Sequence, residues 1–303
     1  MKNKKLFHSI SGFIAGTICK KYIFISTLGF FSLIALANPP LATKEQIGMF
    51  KNSTTCVVLE NGSISYNVYI KDAVQKYWKT TPYEFIDQTE FEKRRFNSKY
   101  SFLALMKGIF DRDPGGVSYN YLSLVLGGSA TDMTNMPEIC SIPLSYSDDN
   151  SMDYGYAIPS IVKFMQIHAK NIENKRFSIS IQGFSYYNGS ISFKDKVLLL
   201  NKNMMAPDVN TTDKIAVVYP YYVKLLSTSE IEAELKSNPT NTLFNFHVGP
   251  TMSSGSGKCF DMIFDVEGNL YYYSDRKITN ENVDGFNNDD FKHIKHESFL
   301  VRL

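Results

Sequence analysis

A weak internal duplication is the feature that most constrains how this chain can fold. The first copy opens on an apolar strand, Cys56-Val57-Val58-Leu59. Tyr66, Tyr69, Ile70, Ala73, Val74 and Tyr77 follow at helical three-to-four spacing. Thr81-Pro82 leads into a strand at Tyr83-Glu84-Phe85-Ile86, Thr89…Glu92 opens a short helix, and residues 100–106 form a further strand ending at Gly108. The second copy keeps that order. Val197-Leu198-Leu199-Leu200 is a strand, 209–219 a helix, Tyr222-Val223-Lys224-Leu225-Leu226 a strand after Pro220, Ser229…Glu232 a helix start, and residues 243–248 a strand ending at Gly249. Landmarks match at offsets of 138 to 142, and the two S/T-x-x-E capping boxes match at 140. Five matches in one order point to two structural units rather than one irregular domain.

Each copy continues as antiparallel sheet. Asp113-Pro114-Gly115-Gly116 is a turn signal joining the 100–106 strand to one at 119–126, and residues 139–146 form another. In the second copy Glu267-Gly268-Asn269 separates strands at 260–264 and 270–273 as a hairpin. The reading is β-α-β-α-β-β per copy, with an extra strand in the first. Between the copies, Ile158, Ile161, Val162, Met165, Ala169 and Ile172 form one helical stripe. Phe177-Ser178-Ile179-Ser180-Ile181 alternates as a half-buried strand, and Asn188-Gly189 signals a hairpin. The expected fold is α/β (α+β): two tandem, weakly duplicated units with mixed sheets, packed together. The first spans 38–175 with a long closing helix, and the second 176–303.

Residues 1–37 read as a signal peptide. Lys2, Lys4, Lys5, Lys20 and Lys21 precede any acid (the first is Glu45), and an apolar run over 22–37 closes with Ala35-Leu36-Ala37. A basic region, a short apolar region and a small-x-small site are the parts of a secretory signal, with cleavage between Ala37 and Asn38. The run falls short of the roughly 20 residues a membrane anchor needs. Cys19 does not suit a lipid anchor, because the bulky Ile18 precedes it and the apolar run follows it. Cleavage removes five lysines and no acid, turning a formal charge of +2 into −3. The apparent basicity belongs to the leader, and with no clustered basic face nucleic acid is excluded as a partner. The expectation is an exported protein, periplasmic or at the cell surface, touching membrane only through the leader before cleavage.

Three cysteines remain, Cys56, Cys140 and Cys259. An odd count allows one bridge with a free thiol, or three buried thiols, and apolar strand-like surroundings favour the latter. Their spacing supports no CxxC redox motif.

No catalytic, cofactor or metal residue is assigned from motifs. His168 lies near the helical stripe and His247 within a strand, so both read as satisfied, partly buried histidines. His293 and His296 stand one helical turn apart, but a zinc-protease helix needs H-E-x-x-H. Gly255-Ser256-Gly257-Lys258-Cys259 fails as a phosphate loop, with Met252 in place of the first glycine and Cys259 in place of Ser or Thr. The loop from Asp111 fails as a calcium site because its twelfth position is Leu122. There is no G-x-S-x-G elbow. A Cys/His site using Cys140 stays open, since its members need meet only in space.

The stretches Thr81-Pro82-Tyr83-Glu84-Phe85-Ile86, 100–108, Met136-Pro137-Glu138-Ile139, Asp153-Tyr154-Gly155-Tyr156 and Asp284-Gly285-Phe286 resemble an uncharacterised family of exported Bacteroidetes-type proteins. The resemblance implies export; the family has no known activity and lends no site residues. At fold level alone, the two-copy pattern is similar to periplasmic α/β domains of envelope assembly proteins, of the TolB N-terminal and curli-secretion types. The leading expectation is a non-catalytic binding or assembly module that engages another envelope protein. The alternatives are a secreted hydrolase using Cys140 or the His293/His296 segment, and a small-molecule binder at the interface of the two units.

Overall fold

The structure is a computed structural model that describes residues 40–109, 117–146, 153–237, 241–250 and 257–300, with side chains as far as Ile294. The expected cleavage residues Ala35, Ala37 and Asn38, the Asp113–Gly116 turn and Gly255 with Ser256 lie outside the described residues. After helix α1 (Lys44–Phe50), the first half runs β1 (Thr54–Val58), α2 (Ile64–Tyr77), β2 (Tyr83–Ile86), α3 (Gln88–Arg94), β3 (Tyr100–Ile109), β4 (Ser118–Leu126) and β5 (Glu138–Tyr146). A long helix, α4 (Ile158–Gln182), leads to the second half: β6 (Val197–Asn201), α5 (Thr212–Val218), β7 (Val223–Leu226), α6 (Thr228–Ser237), β8 (Thr242–Val248), β9 (Lys258–Asp265), β10 (Leu270–Lys277) and α7 (Asn288–Leu300).

The two halves build the same sheet. The first has strand order β2-β1-β3-β4-β5, and the second, read from its other edge, β7-β6-β8-β9-β10. In each, the opening strand pairs parallel with the next two, and the last two strands add antiparallel. The fold is therefore α+β with two mixed sheets. The extra strand is not confined to the first unit: β10 occupies the place of β5, so both read β-α-β-α-β-β-β. The tyrosine run of β10 is buried enough (Tyr271 and Tyr272 are each 2% exposed) to complete its sheet.

Residues 37–303 form one compact unit. A single apolar cluster draws Leu103 and Leu124 from the first sheet, Phe244 and Phe264 from the second, and Phe164 from α4. Polar welds reinforce it. The Tyr119 hydroxyl accepts from the Lys258 amide at 2.8 Å and donates to the Lys258 carbonyl at 2.7 Å, and the Tyr156 hydroxyl donates to the Asn245 carbonyl at 3.0 Å.

Three local expectations are corrected. Residues 177–181 are not a strand but the last turns of α4, which continues past a break at Lys175 (φ −130°, ψ 28°). Their alternation is local. Ile179 alone is buried, Phe177 and Ile181 are exposed, and helical geometry needs only one of the three to reach the core. Asn188-Gly189 makes no hairpin. Gly189 takes φ +70° in a turn, and the Asn188 side chain donates to the Tyr273 carbonyl (2.9 Å) and accepts from its amide (2.8 Å), pairing with β10 as a strand would. The helix caps fall two residues earlier than expected. Asp87 accepts from the Glu90 amide at 2.8 Å, and Ser227 forms a reciprocal box with Glu230. The offset between the two caps is unchanged.

Candidate functional site

Strand β8 presents two different faces. Phe244, Phe246 and Val248 enter the central core, while Leu243 belongs to a second cluster with Ile263, Phe286 and Phe291. By strand alternation Asn245 and His247 share the face of Leu243. His247 therefore points toward the layer formed by α5, α7 and the segment between β10 and α7.

There it meets carboxylates on both sides. Asp261 is directly opposite on β9, and His247 Nδ1 lies 2.7 Å from its Oδ1. His247 Nε2 lies 3.0 Å from Oδ1 of Asp284. Arg276, on β10, pairs with Asp261, reaches Asp290 at 3.3 Å and donates to the carbonyl of Gly285. Asp290 also accepts from the Tyr272 hydroxyl at 2.9 Å and from the Asn287 amide at 2.9 Å, which ties the cluster to the first turn of α7.

Two glycines allow this approach. A Cβ at Gly249 would stand 2.1 Å from Asp284 Oδ1. Gly285 has φ +101°, and a Cβ there would stand 2.7 Å from the Ala206 amide nitrogen. Neighbouring backbone bonds pin the segment: the Phe286 amide donates to the Met204 carbonyl at 2.8 Å, and the Ala206 amide to the Phe286 carbonyl at 2.9 Å.

The electrostatics follow from burial and pairing. Burial alone would lower the His247 pKa, but the charge of Asp261 and hydrogen bonds to Asp261 and Asp284 outweigh it and raise the value to about 10. Burial pushes Asp261 up, yet His247 and Arg276 beside it bring it below the ordinary carboxylate range. Asp290 moves the other way: burial and the neighbouring Asp261 charge raise it to about 7 against the pull of Arg276. The pairing thus favours the imidazolium form of His247, which sits between Asp261 and Asp284.

This cluster lies beside a cleft of about 410 Å³. Its walls come from both halves: Leu144, Ser145 and Tyr146 at the end of β5, with Asp153 and Tyr154, face Asn201, Asn203, Met204, Met205, His247, Gly249 and Asp284. The cleft sits at the carboxyl ends of parallel neighbours β6 and β8, from which the chain departs toward opposite edges of the sheet. Open α/β sheets bind ligands at such a point.

The first sheet shows what this position holds without the cluster. Tyr100 pairs with Thr54 and Thr242 with Val197 as the first partners of the central strands. Five residues on, His247 therefore corresponds to Leu105. Across the ladder, Leu105↔Leu122 stands where the second sheet has His247↔Asp261.

The residues singled out from sequence separate. His168 is buried and satisfied, its Nδ1 2.7 Å from the Tyr187 hydroxyl, and burial lowers its pKa to about 3. Cys140 is 1% exposed in the central core and does not line the cleft, and burial holds its thiol well above the usual range. Cys56 and Cys259 are likewise buried, and all three thiols are free. His293 is exposed on α7, with Nδ1 2.8 Å from the Asp289 carbonyl, while the side chain of His296 lies outside the described residues. On the same helix Phe291 and Ile294 are fully buried.

Motif reading missed Asp261, Arg276, Asp284 and Asp290. One signal was present: Asp261 interrupts the apolar run Cys259-Phe260-Asp261-Met262-Ile263-Phe264, where a charge costs heavily unless paired. Among the described residues no group of His, Cys, Asp and Glu is arranged to hold a metal ion, and no helix is long and apolar enough to cross a membrane. No known protein family, curated protein or solved structure matches the chain.

Proposed function

We propose that this protein is an exported, non-catalytic binding module whose ligand site is the cleft between its two sheets. One observation carries the reading. The edge of the cleft is built from a buried Asp261–His247–Asp284 cluster, at a position the matching sheet fills with Leu105 and Leu122. A scaffold that folds with leucines there has no architectural need for charges whose burial costs several kcal/mol per ion. Their presence at a recess favours recognition.

The same geometry weighs against hydrolysis. A general base needs a ring nitrogen free to take the nucleophile's proton. Both nitrogens of His247 face carboxylates, and Cys140 is remote from the cleft wall. A recessed cleft also suits a small ligand better than the broad contact of an envelope-protein partner. Export rests on the composition of residues 1–37.

Residues 38–303, screened by thermal shift against small-molecule libraries, are expected to yield hits that lose their effect in His247→Leu/Asp261→Leu. Hits that persist unchanged in this variant count against the cleft. Sequencing the amino terminus of protein recovered from its native host is expected to begin at Asn38, and an intact Met1 would overturn export by cleavage.

A further inference from the structure

We infer that the cleft recognises its ligand through a cationic group, an ammonium or a guanidinium, seated on Asp284. The inference rests on the cleft being the binding site and adds the chemistry of what enters it.

Asp284 is the exposed end of the cluster. Its side chain retains 12% exposure and lines the cleft, whereas Asp261 is fully buried behind the ring. Its Oδ1 accepts from His247, and its Oδ2 has no hydrogen-bond partner among the described residues. An ionised carboxyl offers about four lone-pair sites, so one interaction leaves most of its capacity unused.

Among the described residues no cation is placed to use that capacity. The His247 charge is shared between two carboxylates. Arg276, the other cation of the cluster, is directed to Asp261, to Asp290 and to the Val283 and Gly285 carbonyls. Among the described residues no lysine or arginine lines the cleft. An anion entering it would meet Asp284, and no charged residue among those described at the cleft has an N–H left to receive it.

The remaining walls fit an organic cation on an apolar stem. Tyr146 and Tyr154 supply aromatic rings, whose faces attract ammonium and guanidinium groups. Met204, half-buried in the cleft wall, offers apolar surface for the carbons behind the charge.

Calorimetry on residues 38–303 tests this with five probes: butylamine, butylguanidine, acetyl-arginine amide, butyrate and butanol. Methyl NMR of Met204 and Met205 reports whether binding is in the cleft. The first two probes and the peptide-like third are expected to bind saturably, and their ranking tells a free small molecule from a basic side chain as the source. Asp284→Asn is expected to weaken them at least tenfold. Because that change also removes a His247 partner, Tyr146→Leu serves as a second variant. It leaves the charge cluster whole and is expected to weaken the cations severalfold with an unchanged circular dichroism spectrum. Methyl shifts from butyrate or butanol equal to those from the amines overturn the cation inference and leave the cleft as a site. Cations that bind Asp284→Asn and Tyr146→Leu as tightly as the parent overturn it too. Silence of both methionine methyls toward all five probes overturns this inference and the cleft reading together.

Discussion

His247 and Asp261 face each other across β8 and β9 with Nδ1 and Oδ1 2.7 Å apart, at the register where the first sheet pairs Leu105 with Leu122. The relationship predicts an unusual mutational cycle. His247→Leu alone leaves Asp261 buried with only Arg276 to compensate it, which costs about 3–5 kcal/mol. Adding Asp261→Leu recreates the apolar pair of the first sheet and leaves Arg276 with Asp290. The double variant is expected to unfold at higher denaturant than His247→Leu, with a coupling of about 1–3 kcal/mol. Additive losses would mean that the second sheet needs these charges to fold.

The two buried histidines are predicted to titrate in opposite senses. His247, raised to about 10, contributes stability that is complete below the unfolded value near 6.5 and is lost as pH rises through 10. His168, lowered to about 3 by burial, contributes stability that is complete above about 6.5 and is lost as pH falls toward 3. Denaturant unfolding across pH 4 to 10.5 is expected to show losses on the order of 2 kcal/mol at both ends. His247→Leu should flatten the alkaline limb and His168→Phe the acid limb. Nitrogen chemical shifts give an independent check: between pH 6 and 8 the His247 ring should report two protonated nitrogens and the His168 ring one.

Much of the architecture was legible because it depends on local pattern. The runs at 56–59, 100–106 and 119–126, the helical spacing of 66–77, and the turn at Gly268 (φ +84°) each carry their own signal. The site was not legible for the opposite reason. Its members lie on different elements, with Asp261 14 residues from His247 and Asp284 37 residues away. Only the sheet register and the packing of the segment before α7 bring them together. His247 is satisfied, as its strand context suggests. What the pattern could not show is that its partners are two carboxylates at the edge of a cleft. Phe177, Ser178, Ile179, Ser180 and Ile181 failed differently: a strand needs a neighbour with free backbone groups, and these residues continue a helix instead.

The position of the helix caps is testable by substitution. Asp87→Ala and Ser227→Ala each remove a side chain that accepts from the third amide of its helix, and each is expected to cost about 1 kcal/mol. Thr89→Ala and Ser229→Ala, at the positions the S/T-x-x-E pattern suggested, should each cost less than about 0.5 kcal/mol. Unfolding curves of the four variants rank them, and equal losses at 87 and 89 would return the cap to Thr89.

Gly249 offers the most selective test of how Asp284 is held. An alanine there would bring its Cβ to 2.1 Å from Asp284 Oδ1, so the carboxylate must leave the ring or the end of β8 must move. Overpacking of this kind costs about 1–3 kcal/mol. Gly128→Ala is the control, since its Cβ would meet nothing within 4 Å, and it should fall within about 0.5 kcal/mol of the parent. Energy alone does not separate a displaced Asp284 from a strained strand, so the readout that decides is the histidine. With Asp284 expelled, His247 loses one of the two carboxylates that raise its pKa, while Asp261, the larger influence, stays. Its titration midpoint in Gly249→Ala is therefore expected to fall below that of the parent yet remain above the 6.5 of a free imidazole. An unchanged midpoint in a destabilised protein would show that the strand yielded and the Asp284–His247 contact survived.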